Sequence, residues 1–210
     1  MATTGPEKFI FESTFFPDVS EDDRVLSDSF LSASHVIVDF LGMLGRIFTP
    51  IKADVNGHIE RVRKFVLTDP KKFRYLDSIV DPQVELDNKE KKKRVEAAIS
   101  LTWLKRIMDF IHHFLSKFVL EENMTCEDLK PLFREAYELK LKKHHNVIAQ
   151  KLFQVCVHAA PTRASMINVL TGKGDRSEQQ VYNIMKIFLV NMGASVGALI
   201  RNFESFSVQQ

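Results

Sequence analysis

The chain reads as an all-α protein, a layered sandwich of about eight helices. Three observations predict this. From Lys91 to Val119 the apolar residues Val95, Ile99, Trp103, Ile107, Phe110, Phe114 and Phe118 recur at steps of three and four, one stripe along a long helix. Other stretches carry the same period between Pro and Gly punctuation, several of them more than 20 residues long. There is no β-hairpin signal and no internal repeat.

In chain order, residues 1–24 lack clear periodicity but hold Phe9, Phe11, Phe15, Phe16, Pro17 and the acidic run Glu21–Asp23. They read as an extended N-terminal arm whose aromatics pack on a single domain of residues 25–210. Ser27 or Asp28 can cap a first helix, with Phe30, Leu31, Val36, Ile37, Phe40, Leu41 and Leu44 on its apolar side. Gly42 and Gly45 weaken its end. Pro50 suits the first turn of the next helix, where its missing N–H is not needed, and that helix runs to about Leu67. Asp69-Pro70 predicts a short helix through Leu76, and Asp81-Pro82 a break. The charge cluster Asn88–Arg94 reads as the wet start of the long helix rather than a lipid contact. Thr125-x-x-Asp128 resembles a capping box for a helix to about Lys143. A helix over His145–Ala159 ends at Pro161, and a short one ends at Thr171 before Gly172. Ser177 starts a final long helix to about Phe206.

Composition narrows the function. With 210 residues and 45% hydrophobic content, a packed globule is expected. Twenty-nine basic residues against 27 acidic ones argue against nucleic acid as a partner. Cys126 and Cys156 lie far apart and read as reduced thiols. The first 30 residues show no basic n-region or apolar h-region, and no apolar run reaches about 20 residues, so a cytoplasmic protein is expected. Seventeen Phe against one Trp and three Tyr is a large apolar payload with few polar handles.

Candidate chemistry centres on the second helix. Asp54, His58 and Arg61 fall at i, i+4 and i+7, one face. The ordinary reading is a solvated face with helix ion pairs; the sharper one is a recognition strip. His112-His113 and His144-His145 are adjacent pairs that point apart. Asp109-x-x-His112 is half of a carboxylate-bridged di-iron pattern without its second half. HExxH, GxSxG, GxxxxGK[ST] and GxGxxG are all missing, and Gly172-Lys173-Gly174 reads as a turn. No enzyme activity, metal or cofactor is expected. Trp103, the only Trp, is either core or a stacking platform for a sugar ring, and Arg106 shares its face.

The segments Phe48-Thr-Pro-Ile-Lys-Ala-Asp54-x-x-Gly-x-Ile59, Asp69-Pro70-x-x-Phe73, Leu101-x-Trp103-Leu-Lys-Arg106, Leu141-Lys-Lys-x-His145, Ala159-Ala-Pro161 and Phe188-Leu-Val-Asn191 occur in that order. Together they resemble the glycolipid transfer protein family, from about residue 27 to 203. The resemblance implies an all-α two-layer sandwich of eight helices and a soluble carrier that moves a sphingolipid between membranes. It implies that Asp54 accepts from the ceramide amide and a sugar hydroxyl, that His145 donates to the acyl carbonyl, and that Trp103 stacks under the first sugar. Arg61 stands where the family has Lys or Arg for headgroup contact, and Arg106 is a further headgroup candidate. His58 stands where glycolipid-binding members have Asn and the ceramide-1-phosphate branch has Lys. That branch has arginines at the positions of Ile99 and Trp103, so a glycosphingolipid is the expected ligand. A phosphate would call for a bidentate Arg cluster, and only Arg61 and Arg106 are available. A ceramide-1-phosphate carrier, or a lipid sensor or scaffold without transfer, is the alternative. Phe48, Ile51, Val55, Ile99, Ile107, Phe153 and Phe188 are expected to line an apolar sleeve for the chains. Val147 and Ile148 are expected to meet the membrane, Val147 in place of a Trp common in the family. A monomer that docks transiently on membrane surfaces follows.

Overall fold

The computed structural model describes residues 9–171 and 176–208. Among them are nine helices and no strand: α1 (Ile10–Ser13), α2 (Ser27–Met43), α3 (Thr49–Val66), α4 (Asp77–Val80), α5 (Asn88–Phe118), α6 (Lys130–Lys140), α7 (Val147–His158), α8 (Arg163–Thr171) and α9 (Glu178–Val208). The fold is an all-α two-layer sandwich. Its spine is α5, which packs against α3, α4, α6 and α9, while α2 lies along α3.

The spine begins as its sequence dictates. Asp87 accepts from the Glu90 amide at 2.7 Å, and the Glu90 carboxylate accepts from the Asp87 amide at 3.1 Å, a reciprocal cap. The lysines after it stay in water. Its apolar stripe then drifts. Each four-residue step overshoots a turn by about 40°, so Val95 and Ile99 face solvent while Phe110, Phe114 and Phe118 are buried.

Three local expectations are corrected. No helix forms over residues 70–76. There the backbone is taken by the first helix's entry: the Ser27 amide donates to Arg74 O and the Leu76 amide to Val25 O, and the helical turn is α4 instead. Ser27 does not cap α2; its hydroxyl donates to Phe73 O at 2.8 Å. The Thr125–Asp128 box does not form, because α6 starts at Lys130 with Leu129 before it. The same segment anchors buried Arg163, which donates to Cys126 O at 3.0 Å, Phe118 O at 3.0 Å and the Tyr182 hydroxyl at 2.8 Å. The expected stop at Gly172 and the Gly172–Gly174 turn lie outside the described residues, as do residues 1–8 of the arm.

The arm is tied down by α9. Phe9, Phe11 and Phe16 are buried, and Phe11 and Phe16 meet Phe188 edge-on at 4.8 and 5.5 Å. Buried Ser195 donates to Pro17 O at 2.9 Å. Arg201 donates twice to the Asp23 carboxylate, at 2.6 and 2.7 Å. Ser195→Ala leaves the Pro17 carbonyl without its donor, so chemical denaturation is expected to show a loss of about 1–2 kcal/mol. Residues Glu178–Phe206 are long and apolar enough to cross a membrane by composition, which the sequence reading did not find. Val181, Met185, Phe188, Met192, Val196 and Leu199 are buried in the body, which is why a core helix carries that composition.

Candidate functional site

Helices α3, α5, α6 and α7, with Leu41 of α2, enclose an apolar cavity of about 530 Å³, within the size range of ligand pockets. Phe48, Ile51, Ile107, Phe110, Phe133, Leu152 and Phe153 form much of its wall. Phe153 is the keystone: its ring lies parallel to Phe133 at 5.2 Å and to Tyr137 at 3.6 Å. Polar groups enter the lining at Asp54, His58, Trp103 and His145. Residues as far as 91 positions apart in the chain, Asp54 and His145, thus converge on one opening.

On α3 the strip is wired internally. Arg61 Nη2 donates to His58 Nδ1 at 2.8 Å, and Arg61 Nε donates to Ser100 Oγ of α5 at 2.9 Å. With its Nδ1 lone pair engaged, His58 carries its proton on Nε2, which faces Asp54 Oδ2 at 3.6 Å. Gly57 lets Arg61 fold back along the helix, since a Cβ there would sit 3.3 Å from Nη1. The His58 N–H holds the Asp54 carboxyl below the usual carboxylate range against the opposing effect of burial, and the charge of Arg61 adds to it. Asp54 is therefore an exposed, ionised acceptor at the rim.

Across the opening stands His145, held from behind. Gln150 Nε2 donates to its carbonyl at 2.9 Å, and Asn146 caps α7 through the Ala149 amide. Its Nδ1 lies 3.2 Å from the Tyr137 hydroxyl. Burial pushes the Tyr137 phenol up and the His145 imidazole down, so the phenol keeps its proton and the ring is neutral. The phenol then donates to Nδ1, leaving Nε2–H free for an acceptor in the opening. Trp103 lies 5.7 Å from His145 between ring centres, with Arg106 5.1 Å from the indole.

Tyr137 was not singled out by the sequence reading; its partner is eight residues away across a turn, so no helical spacing links the two. Tyr137→Phe is expected to keep the fold and reduce ligand binding several-fold. Nitrogen NMR of the His145 ring is the decisive readout: Nε2–H in the parent, a mixture of tautomers in the variant. In the parent the ring should titrate below 6.5.

Of the residues expected here, Asp54, His58, Trp103, His145, Phe48, Ile51, Ile107 and Phe153 line the cavity. Arg61 and Arg106 flank it without lining it. Three expected sleeve residues lie elsewhere. Ile99 is 55% exposed because of the stripe's drift. Val55 is fully buried in the core on another face of α3. Phe188 is buried under the N-terminal arm. Val147 and Ile148 open α7 at 68% and 79% exposure. Asp109 is paired with Lys140 at 3.0 Å, and no cluster of three metal-ligating side chains occurs among the described residues.

Residues 25–172 match the family described as "Glycolipid transfer protein (GLTP)". The glycolipid transfer protein of Danio rerio is 32% identical over 187 residues, spanning 88% of this chain and 89% of that protein. The Homo sapiens pleckstrin homology domain-containing family A member 8 is 29% identical over 182 residues, 85% of this chain and 34% of that protein. A solved structure described as showing how FAPP2 selects simple glycosphingolipids using the GLTP-fold superposes with a TM-score of 0.80 at 26% identity, covering 96% and 97% of the two chains. Human ceramide-1-phosphate transfer protein bound to its lipid gives 0.75 at 16% identity, covering 96% and 95%, a likeness of fold alone. By this match and these identities, the chain belongs to the glycolipid transfer protein family.

Proposed function

We propose that this protein is a soluble, cytoplasmic, monomeric carrier that takes a glycosphingolipid from one membrane and delivers it to another. The observation that carries the reading is the pairing of an ionised acceptor, Asp54, with a neutral donor, His145, at the mouth of an apolar cavity. A ceramide amide offers both complements, an N–H for Asp54 and a carbonyl for His145 Nε2–H. Trp103 stands beside them to receive the first sugar, and His58 Nε2–H faces the same rim. The chains enter the Phe-lined cavity, which replaces the bilayer at roughly 0.8 kcal/mol per buried CH₂. Exposed Val147, Ile148 and Leu152 supply a transient membrane contact beside the opening.

A phosphate headgroup finds less support. Arg61 is committed to His58 and Ser100, and Arg106 does not line the cavity. The reading is tested by vesicle-to-vesicle transfer of labelled galactosylceramide, with ceramide-1-phosphate as competitor. Transfer of the galactolipid, little affected by the phosphate, is expected; no transfer overturns the carrier, and preference for the phosphate overturns the headgroup assignment.

A further inference from the structure

A second cleft, of about 290 Å³, lies beside the opening between α5, the end of α6 with the turn after it, and α9. Its cations are Lys105 and Arg106 of α5, Lys140 of α6 and Lys143 of the turn, with His144 beside them. Against these stand two carboxylates, Asp109 and Glu204. The excess of two positive charges equals that of the whole chain, which is +2. Asp109 is taken by Lys140 at 3.0 Å. Arg106 rests over Trp103, and Lys105 sits 4.4 Å above Phe203. Burial lowers the pKa of both, and the Arg106 charge adds to the effect at Lys105. These cations are thus crowded and partly dehydrated, with fewer acids than they can use, and an anion would relieve them.

What kind of anion follows from the cleft's neighbours. The turn that supplies Lys143 and His144 continues through His145, at the cavity mouth, to Val147 and Ile148, 68% and 79% exposed. Trp103 is shared: it lines the cavity and carries Arg106. A surface with apolar side chains beside a basic recess matches a bilayer whose apolar region lies under negative headgroups. We propose that this cleft receives the headgroup of an anionic phospholipid while the cavity mouth is docked on the membrane, making docking selective for negatively charged bilayers. The proposal rests on the carrier reading for the docked orientation, but its test does not.

Co-sedimentation with glycolipid-free vesicles, of phosphatidylcholine alone or mixed with phosphatidylserine, measures the effect directly. The parent protein is expected to partition more strongly onto the mixed vesicles, with the gain shrinking as salt rises. Lys143→Gln, at an exposed position, should lower that gain by about fivefold, the worth of one basic residue at an anionic surface. Lys92→Gln, an equal change in net charge at the wet start of α5, should leave it intact. Equal binding of the parent to both vesicles overturns the proposal, as does an equal loss in the two variants. Because no glycolipid is present, a protein that binds these vesicles selectively yet transfers no galactosylceramide would sink the carrier reading and leave the cleft standing.

Discussion

Asp54→Val is expected to reduce galactosylceramide transfer by roughly a hundredfold to a thousandfold. The carboxylate is proposed to accept two hydrogen bonds, from the ceramide amide and from a sugar hydroxyl. Bonds to a charged acceptor are each worth about 1.5–3 kcal/mol, and without it the amide N–H enters the site unpaired. At an exposed rim the lower part of that range applies, so two such losses amount to about 3–4 kcal/mol, or two to three powers of ten. Valine is close in shape, and the carboxylate is exposed, so unfolding free energy should move by no more than about 0.5 kcal/mol. Asp54→Asn keeps an acceptor oxygen without the charge and should fall between the two, provided its amide oxygen turns to the ligand. Transfer by Asp54→Val at the parent rate would remove Asp54 from the headgroup site, since no folding defect could be blamed.

Phe153→Ala is expected to show the largest stability loss. The ring is 6% exposed and sandwiched between Phe133 and Tyr137. Truncating a buried Phe costs about 3–5 kcal/mol, and the lower end applies because one side already faces the cavity. For a chain of this size that is a drop in Tm of about 10 °C. The loss is also functional: without the ring beneath it Tyr137 is free to tilt, and the His145 Nδ1 bond it makes at 3.2 Å weakens. Phe153→Leu fills part of the space and should recover more stability than function. A drop in Tm of less than about 2 °C in Phe153→Ala would mean that the aromatic stack does not hold the cavity wall.

The fold was legible where one physical effect dominates. The long apolar stripe, Pro50 near a helix start and the Asn88–Arg94 charges placed α5 and α3 within a few residues. It was misread where backbone groups have distant partners. Asp69-Pro70 looks like a helix start, but Ser27 and Leu76 draw that backbone into pairing with the entry to α2. The polar rim was legible on α3 because Asp54, His58 and Arg61 share one helix, whereas Tyr137 and Arg61's bond to Ser100 depend on how helices approach one another. Burial was harder than identity. Phe188 and Val55 are as apolar as Phe48, and no periodicity says which of several buried faces borders an empty space.

The clasp of the arm onto α9 has a consequence for the order of folding. Its bonds join residues 178 positions apart, Ser195 to Pro17 and Arg201 to Asp23. During synthesis Phe11 and Phe16 emerge long before Phe188, so these rings lack the α9 side of their cover until that helix follows. Closure of so long a loop is slow relative to local helix formation, and exposed rings meanwhile invite association. A ribosome-bound chain stopped before α9 should therefore depend on a chaperone, and release it when α9 arrives.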